Sequence, residues 1–300
     1  MVGMAMMTGL IGFGEAGRTF MEAGDWVAGC RVYDIKTDRA ETRGANLADY
    51  AASQADGRET MAEIVNGADL LLSLVTADQA LAAAEAAAAD LSPGTLYCDM
   101  NSIAPQTKQA AAHLIEAVGG HYVDVAVMAP VDPARLAVPL LLSGARAQSA
   151  AETLAALGFS NIRVVGDRVG RASSIKMIRS VMVKGLEALS AECVLAAEAA
   201  GVREEVIASL DASEKPKPWD SRVDYNLDRM MVHGLRRAAE MEEVVKTLDG
   251  LSTGSVMTRG TVERQRTIGA LGLIRPDAGL PAKIEQIDAA QMSAKGKQNA

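Results

Sequence analysis

Close to its start the chain reads Thr8-Gly9-Leu10-Ile11-Gly12-Phe13-Gly14-Glu15-Ala16-Gly17. A short apolar run ends in glycines at 12, 14 and 17, and a helical pattern follows over 15–23. That order predicts a strand, a tight turn and a helix. The first glycine allows the bend, the second lets backbone approach a pyrophosphate, and the third lets the helix pack against the strand. The helix start offers unpaired N–H groups and the positive end of its dipole to phosphate oxygens. Three glycines near a turn also arise by chance, so the flanks decide. Residues 27–33 read as a second strand, and Asp34 follows Gly12 by 22 residues, where a carboxylate accepts hydrogen bonds from an adenosine ribose. The expected cofactor is NAD, because a carboxylate repels a 2′-phosphate; Lys36 and Arg39 leave NADP open.

Three hundred residues suggest about two domains. The acidic balance, −8 at neutral pH, and the scarcity of aromatic residues argue against a nucleic-acid partner. They leave room for a small anionic substrate, since one local basic pocket suffices. Cys30, Cys98 and Cys193 lie far apart in apolar segments, which fits reduced, buried thiols in the cytosol. The scattered histidines make no metal-ligand cluster. No apolar run reaches membrane-spanning length, and residues 1–7 lack the basic segment of a signal peptide. A cytoplasmic protein without membrane contact is expected.

From Asp34 to about Asp56 the sequence reads as irregular, and 59–65 as a helix. The run 69–75 (DLLLSLV) is the pattern of a strand buried on both faces. Further strands are predicted over 95–100, 121–127, 139–143 and 162–165, with helices over 79–90, 106–118 and 148–157 between them. Such alternation implies parallel crossovers and a doubly wound sheet. Past Gly166 the pattern turns helical: 171–200, 204–210, 225–248, 254–271 and 282–291, with a polar break at 215–218 and a frayed tail from 293. The expected fold is α/β: an N-terminal Rossmann-type doubly wound sheet followed by an all-α C-terminal domain. Residues 1–168 would bind the dinucleotide, and 169–300 would form a helical substrate and dimerisation domain.

Three further segments carry a likeness. Leu74-Val75-Thr76 spans the end of the third predicted strand, and Asp99-Met100-Asn101-Ser102-Ile103-Ala104-Pro105 runs on from the end of the fourth. Gly170-Arg171-Ala172-Ser173-Ser174-Ile175-Lys176 opens the long helix, with Glu192 and Gly201 lying 16 and 25 residues beyond Lys176. With the glycine turn, these resemble the β-hydroxyacid dehydrogenase superfamily, which includes 3-hydroxyisobutyrate and 6-phosphogluconate dehydrogenases. The likeness is to the bacterial branch with a C-terminal domain of unknown function. It implies a cofactor site at Gly12, Phe13, Gly14, Glu15, Ala16, Asp34, Leu74, Val75, Thr76 and Ser102, and a catalytic lysine at Lys176. Two departures matter. The family's Asp-x-Pro-Val-Ser-Gly-Gly substrate loop appears as Asp124-Val125-Ala126-Val127-Met128-Ala129-Pro130, and its paired asparagines after the lysine are Arg179 and Ser180. The substrate is therefore expected to differ from the family's simple short 3-hydroxy acids.

Hydride exchange between an alcohol carbon and nicotinamide needs a proton to leave or reach the oxygen. Lys176 is the candidate, with burial and nearby cations expected to depress its pKa. Arg179 and Ser180 share its helical face; the arginine's planar fork suits a carboxylate, and the serine a substrate hydrogen bond. Met128 would line the same gap. Arg229, His233, Arg236 and Arg237 form a basic stripe, with His233 where the family has a lysine near the nicotinamide. The stripe reads equally as an anion clamp or as a solvated face with Arg236 and Glu240 paired. Gly234 hints at close approach of another backbone or the cofactor. Trp219, Arg222 and Tyr225 read as cleft or core. The expected function is an NAD(P)-dependent oxidoreductase of a small hydroxy acid or its oxo counterpart, working as a homodimer. Oxidative decarboxylation of a 3-hydroxy acid, imine reduction, and a non-catalytic dinucleotide-binding protein remain alternatives.

Overall fold

The structure, a computed structural model, describes residues 6–26, 29–213 and 216–298, the last four for their backbone alone. Its first half runs β1 (Thr8–Ile11), α1 (Glu15–Gly24), β2 (Cys30–Tyr33), α2 (Ala40–Ala52), β3 (Asp56–Gly57), α3 (Met61–Val65), β4 (Leu70–Ser73) and α4 (Ala80–Ala88). It continues with β5 (Leu96–Asp99), α5 (Pro105–Ala117), β6 (His121–Val127), β7 (Leu140–Ser143), α6 (Ala147–Ala156) and β8 (Ile162–Gly166). The sheet order is β3-β2-β1-β4-β5-β6-β7-β8, so the strand order reverses between β1 and β4. A crevice at that reversal, beyond the strands' C-terminal ends, is where such sheets bind ligands. The expected strand start at 27 and 28 lies outside the described residues.

One rung fixes the geometry of that edge. In register across the sheet stand Tyr33, Ile11, Ser73, Asp99 and Asp124, with Ser143 completing it on β7. The residues just past the rung are thereby gathered in a row. Along β4 the side chains alternate: Leu70 and Leu72 join one core with Leu10, Phe20, Val32 and Cys98, while Leu71 joins the other with Ile11, Ile64 and Tyr97. Period two with both faces covered is why this strand reads as an unbroken apolar run.

The structure corrects the sequence reading at several points. The stretch expected to be irregular after Asp34 holds α2, whose Tyr50 packs edge-on against Phe13 with ring centroids 5.2 Å apart. Few large apolar residues mark this helix, and Gly44 lies within it, so its periodicity is faint. β7 runs antiparallel to β6 rather than parallel. The segment 128–139 contains no α-helix to carry a crossover, only a single 3₁₀ turn at Arg135–Ala137. Cys193, expected to be buried, is exposed; Cys30 and Cys98 are buried, and burial pushes both thiols up to about 12.

The helical half comprises α7 (Arg171–Ala199), α8 (Arg203–Ser213), α9 (Trp219–Gly250), α10 (Val256–Gly269) and α11 (Leu280–Gln298). The last helix continues to Gln298, into the segment expected to fray. Two compact units divide α7 between Val181 and Met182. In the second unit α9 crosses α10 at Gly234 and Gly269: a Cβ on Gly234 would meet the Gln265 carbonyl oxygen at 2.4 Å. The glycine thus serves a backbone-to-backbone approach of two helices. Met231, Ile268 and Ile287 form one buried cluster there, and Lys283 of α11 pairs with Asp224 at 2.9 Å and Asp228 at 3.4 Å on α9. Among the described residues no helix is long and apolar enough to cross a membrane.

Candidate active site

The glycine turn after β1 behaves as its sequence predicts. Gly12 has φ +94°, and a Cβ there would lie 2.4 Å from the Leu74 carbonyl oxygen. A Cβ on Gly17 would meet the Gly12 carbonyl at 2.6 Å, so only glycine lets α1 approach the turn this closely. Gly14, by contrast, faces open space. As the N-cap of α1 it has no side chain to bond the first-turn N–H groups, which leaves them to an external anion.

These residues border a cleft of about 510 Å³ lined by Gly12, Gly14, Glu15 and Ala16, by Asp34, Lys36 and Arg39 after β2, and by Leu74, Val75 and Thr76 after β4. Asp34 is buried: its Oδ2 accepts from the Phe13 N–H at 2.8 Å and its Oδ1 from the Lys36 N–H at 3.0 Å. Each oxygen keeps a lone pair for a ribose hydroxyl. Phe13 is placed differently from the other fingerprint residues. Its ring is fully buried in the core and its N–H is taken by Asp34, so it shapes the turn from behind.

A second group of side chains stands past the rung at β5 and at the start of α7. Asn101 donates through Nδ2 to Ser73 Oγ at 2.9 Å and accepts from the Val75 N–H at 2.7 Å, tying the loop over the cleft to the β5 loop. The next residue, Ser102, accepts a hydrogen bond from Lys176 Nζ. Arg179, one turn on, is exposed and reaches the Met128 carbonyl only at 3.5 Å. Met128 packs beside Ala126, Leu141 and Ala172. Ser180 donates back to the Lys176 carbonyl at 2.9 Å, which commits its proton to the helix.

His233 lies on α9 in the second unit, partly buried. The basic stripe around it divides. Arg236 pairs with Glu240 at 3.0 Å on the solvated face, whereas Arg229 and Arg237 border a cavity with Tyr225, Asn226, Met230 and Gln265. Trp219 and Tyr225 are exposed, each stacked by a cation: Arg222 over Trp219 at 5.2 Å and Lys217 over Tyr225 at 5.6 Å. Glu192, marked in the sequence only by its spacing, caps α10. It accepts from the N–H groups of Met257 and Thr258 at 2.8 Å and from the Thr258 hydroxyl at 2.6 Å. No cluster of metal-ligating side chains occurs among the described residues.

Residues 7–166 match the family described as the NAD binding domain of 6-phosphogluconate dehydrogenase. The chain belongs to that family. Residues 197–268 match a domain of unknown function, DUF1932. Among solved structures, a conserved hypothetical protein from Sinorhizobium meliloti 1021 is 37% identical, covering 94% of this chain and 93% of that one, with a TM-score of 0.60. A 3-hydroxyisobutyrate dehydrogenase from Salmonella typhimurium is 18% identical over 89% of this chain and 94% of its own, with a TM-score of 0.57. An imine reductase from Streptomyces aurantiacus is 18% identical over 89% and 96%, with a TM-score of 0.67. The last two share the fold. In this 6-phosphogluconate dehydrogenase-type NAD-binding domain, the cleft beside Gly14 and Asp34 fits the dinucleotide: the start of α1 offers N–H groups that no side chain caps, and the buried carboxylate lines the same cleft. Sequence reasoning missed Asn101, Lys108, Tyr122 and the role of Asp124. All four are polar groups buried around the ends of β5 and β6, where one sequence gives no sign of which strands are neighbours.

Proposed function

We propose that the chain is an NAD(P)-dependent oxidoreductase that moves a hydride between nicotinamide and a small hydroxy acid or the matching oxo compound. The bond between Lys176 Nζ and Ser102 Oγ carries this reading. It holds an ammonium at the C-terminal edge of the sheet, and Asn101 joins that loop to the one bordering the dinucleotide cleft. When bound, the nicotinamide supplies or accepts the hydride. In the reducing direction Lys176 gives its proton to the substrate oxygen as the neighbouring carbon gains H⁻, and in the oxidising direction it takes that proton back. The Ser102 hydroxyl orients the ammonium and donates to the same oxygen. Arg179, whose charge no carboxylate meets among the described residues, grips a substrate carboxylate. Met128 gives that gap an apolar wall. Leu74, Val75 and Thr76 cover the dinucleotide while Asp34 binds its ribose, favouring NAD. Two copies of the chain form the working unit.

A screen of aldehydes, keto acids and imines with NADH and with NADPH tests the proposal directly. Oxo-acid reduction is the expected result. Turnover of imines alone would transfer the chemistry to C=N bonds, and CO₂ release in the reverse direction would add decarboxylation. With a substrate in hand, Lys176→Ala should lower turnover by about 10²–10⁴. Activity within about threefold of wild type would remove Lys176 from the chemistry.

A further inference from the structure

Lys108 on α5 is fully buried, an expensive place for an ammonium unless carboxylates meet it. Its Nζ donates to the Asp99 main-chain carbonyl at 2.5 Å and to Asp99 Oδ1 at 3.0 Å, and lies 3.4 Å from Asp124 Oδ1. Asp99 on β5 and Asp124 on β6 stand side by side in the rung, both without solvent contact. Each carboxylate faces a different part of the site. Asp99 accepts from the Tyr122 hydroxyl at 2.5 Å and from the Asn101 N–H at 2.9 Å, which fixes the loop carrying Ser102. Asp124 Oδ2 accepts from the Gly170 N–H at 3.1 Å and from the Ser173 N–H and hydroxyl at 3.0 Å, which fixes the first turn of α7. Ser143 reinforces the second anchor, donating to Asp124 and accepting from the Ala172 N–H. Asp124 Oδ1 has no hydrogen-bond partner, so the ammonium is its compensation among the described residues.

Buried ion clusters add little stability over well-packed apolar residues of the same size. What this one supplies is a fixed distance between two anchors. We infer that Lys108 is a positioning residue: by bridging Asp99 and Asp124 it sets the separation between the Lys176 ammonium and the Ser102 hydroxyl. The inference rests on the reading of Lys176 as the proton-transfer group.

Peptide-resolved acetylation of the full chain with acetic anhydride, followed by mass spectrometry across pH, tests it without a substrate. Lys108→Met is compared with wild type. So is Asp99→Asn/Lys108→Met, which removes one buried charge of each sign and carries the comparison if the single variant does not fold. Lys176 is expected to change its labelling rate by about threefold or more, or the midpoint of its labelling curve by about half a pH unit, in either folded variant, while exposed Lys36 and Lys246 keep theirs. NADH binding followed by fluorescence should stay within about threefold, less than 1 kcal/mol. A merely structural cluster would lower the melting temperature and leave the Lys176 curve where it was, and that outcome in a folded variant overturns the inference. The Lys176→Ala turnover assay is separate. If that variant stays active, the proton-transfer reading fails, while the labelling curves still report whether Lys108 positions the amine.

Discussion

Asp34 lines the cleft with Lys36 and Arg39, so the 2′-phosphate that distinguishes NADP from NAD would meet both signs of charge there. The carboxylate is buried and held by two N–H groups, whereas both basic side chains are exposed and pay entropy to converge. The fixed negative charge therefore decides, and NADH should bind more tightly than NADPH. Asp34→Asn keeps the size and one acceptor but removes the repulsion. Its ratio of NADPH to NADH affinity should rise by about tenfold, or 1.4 kcal/mol, in fluorescence titrations. An unchanged ratio would assign the choice to residues other than Asp34. The turn, the strand and the acid that follows it were legible residue by residue, because they are local in sequence. Lys108 was not. On α5 it reads like any solvated helical lysine, and only the pairing of β5 with β6 places two carboxylates around it. Phe13 shows the converse: its motif position is that of a ligand residue, yet its ring belongs to the core.

Elements meet through caps and crossings whose contributions can be measured one at a time. Burial alone would raise the Glu192 carboxyl, but bonds from the Thr258 hydroxyl and from backbone N–H groups at the start of α10 outweigh it and hold the group below the usual carboxylate range. The unfolded chain then takes up that proton more readily than the folded one. The stabilisation is complete above the ordinary glutamate pKa and is lost as pH falls through the lower, folded value. Glu192→Gln should cost about 0.5–2 kcal/mol at neutral pH in urea melts. Its stability should also fall less steeply than that of wild type as the solution is acidified. Parallel pH profiles would show that the charge contributes nothing. At the α9–α10 crossing, Gly234→Ala gains about 1 kcal/mol of helix propensity. It also drives a methyl into the Gln265 carbonyl and the Gly269 backbone, overpacking that costs about 1–3 kcal/mol. A lower denaturation midpoint is expected, and a higher one would mean that the helices part without cost. Long stretches free of proline were plain from the sequence, α7 above all, while α9 begins at Trp219, six residues before its expected start. Elements whose form depends on a partner were not: α2 is recognisable only once Tyr50 has Phe13 to cover, and β7 reverses because its connection lacks a helix.

Association belongs to the molecule as a whole, and the second unit states the case for it. Along α7, Met182, Leu186 and Leu189 follow one another at intervals of four and three, the spacing of a single helical face, and each is more than two-fifths exposed. Leu195 further along is 59% exposed, and on α8 Ile207 and Leu210 are also uncovered. Beside them lies an apolar groove of about 440 Å³ bordered by Leu189, Ala196, Val206, Met241 and Val244. Exposed apolar surface of this kind marks interaction sites in soluble proteins, and a second copy of the chain would bring the same apolar helices to cover it. A two-fold axis would make the contact self-complementary. Sedimentation equilibrium at micromolar concentration should therefore give twice the chain mass. Leu186→Glu or Leu195→Glu should shift the equilibrium to the monomer by placing unpaired carboxylates in the interface. Because these side chains are exposed within the unit, helix content measured by circular dichroism should not change. A wild-type chain that sediments as a monomer would refute the dimer. Variants that stay dimeric would move the contact to another face of the helical unit.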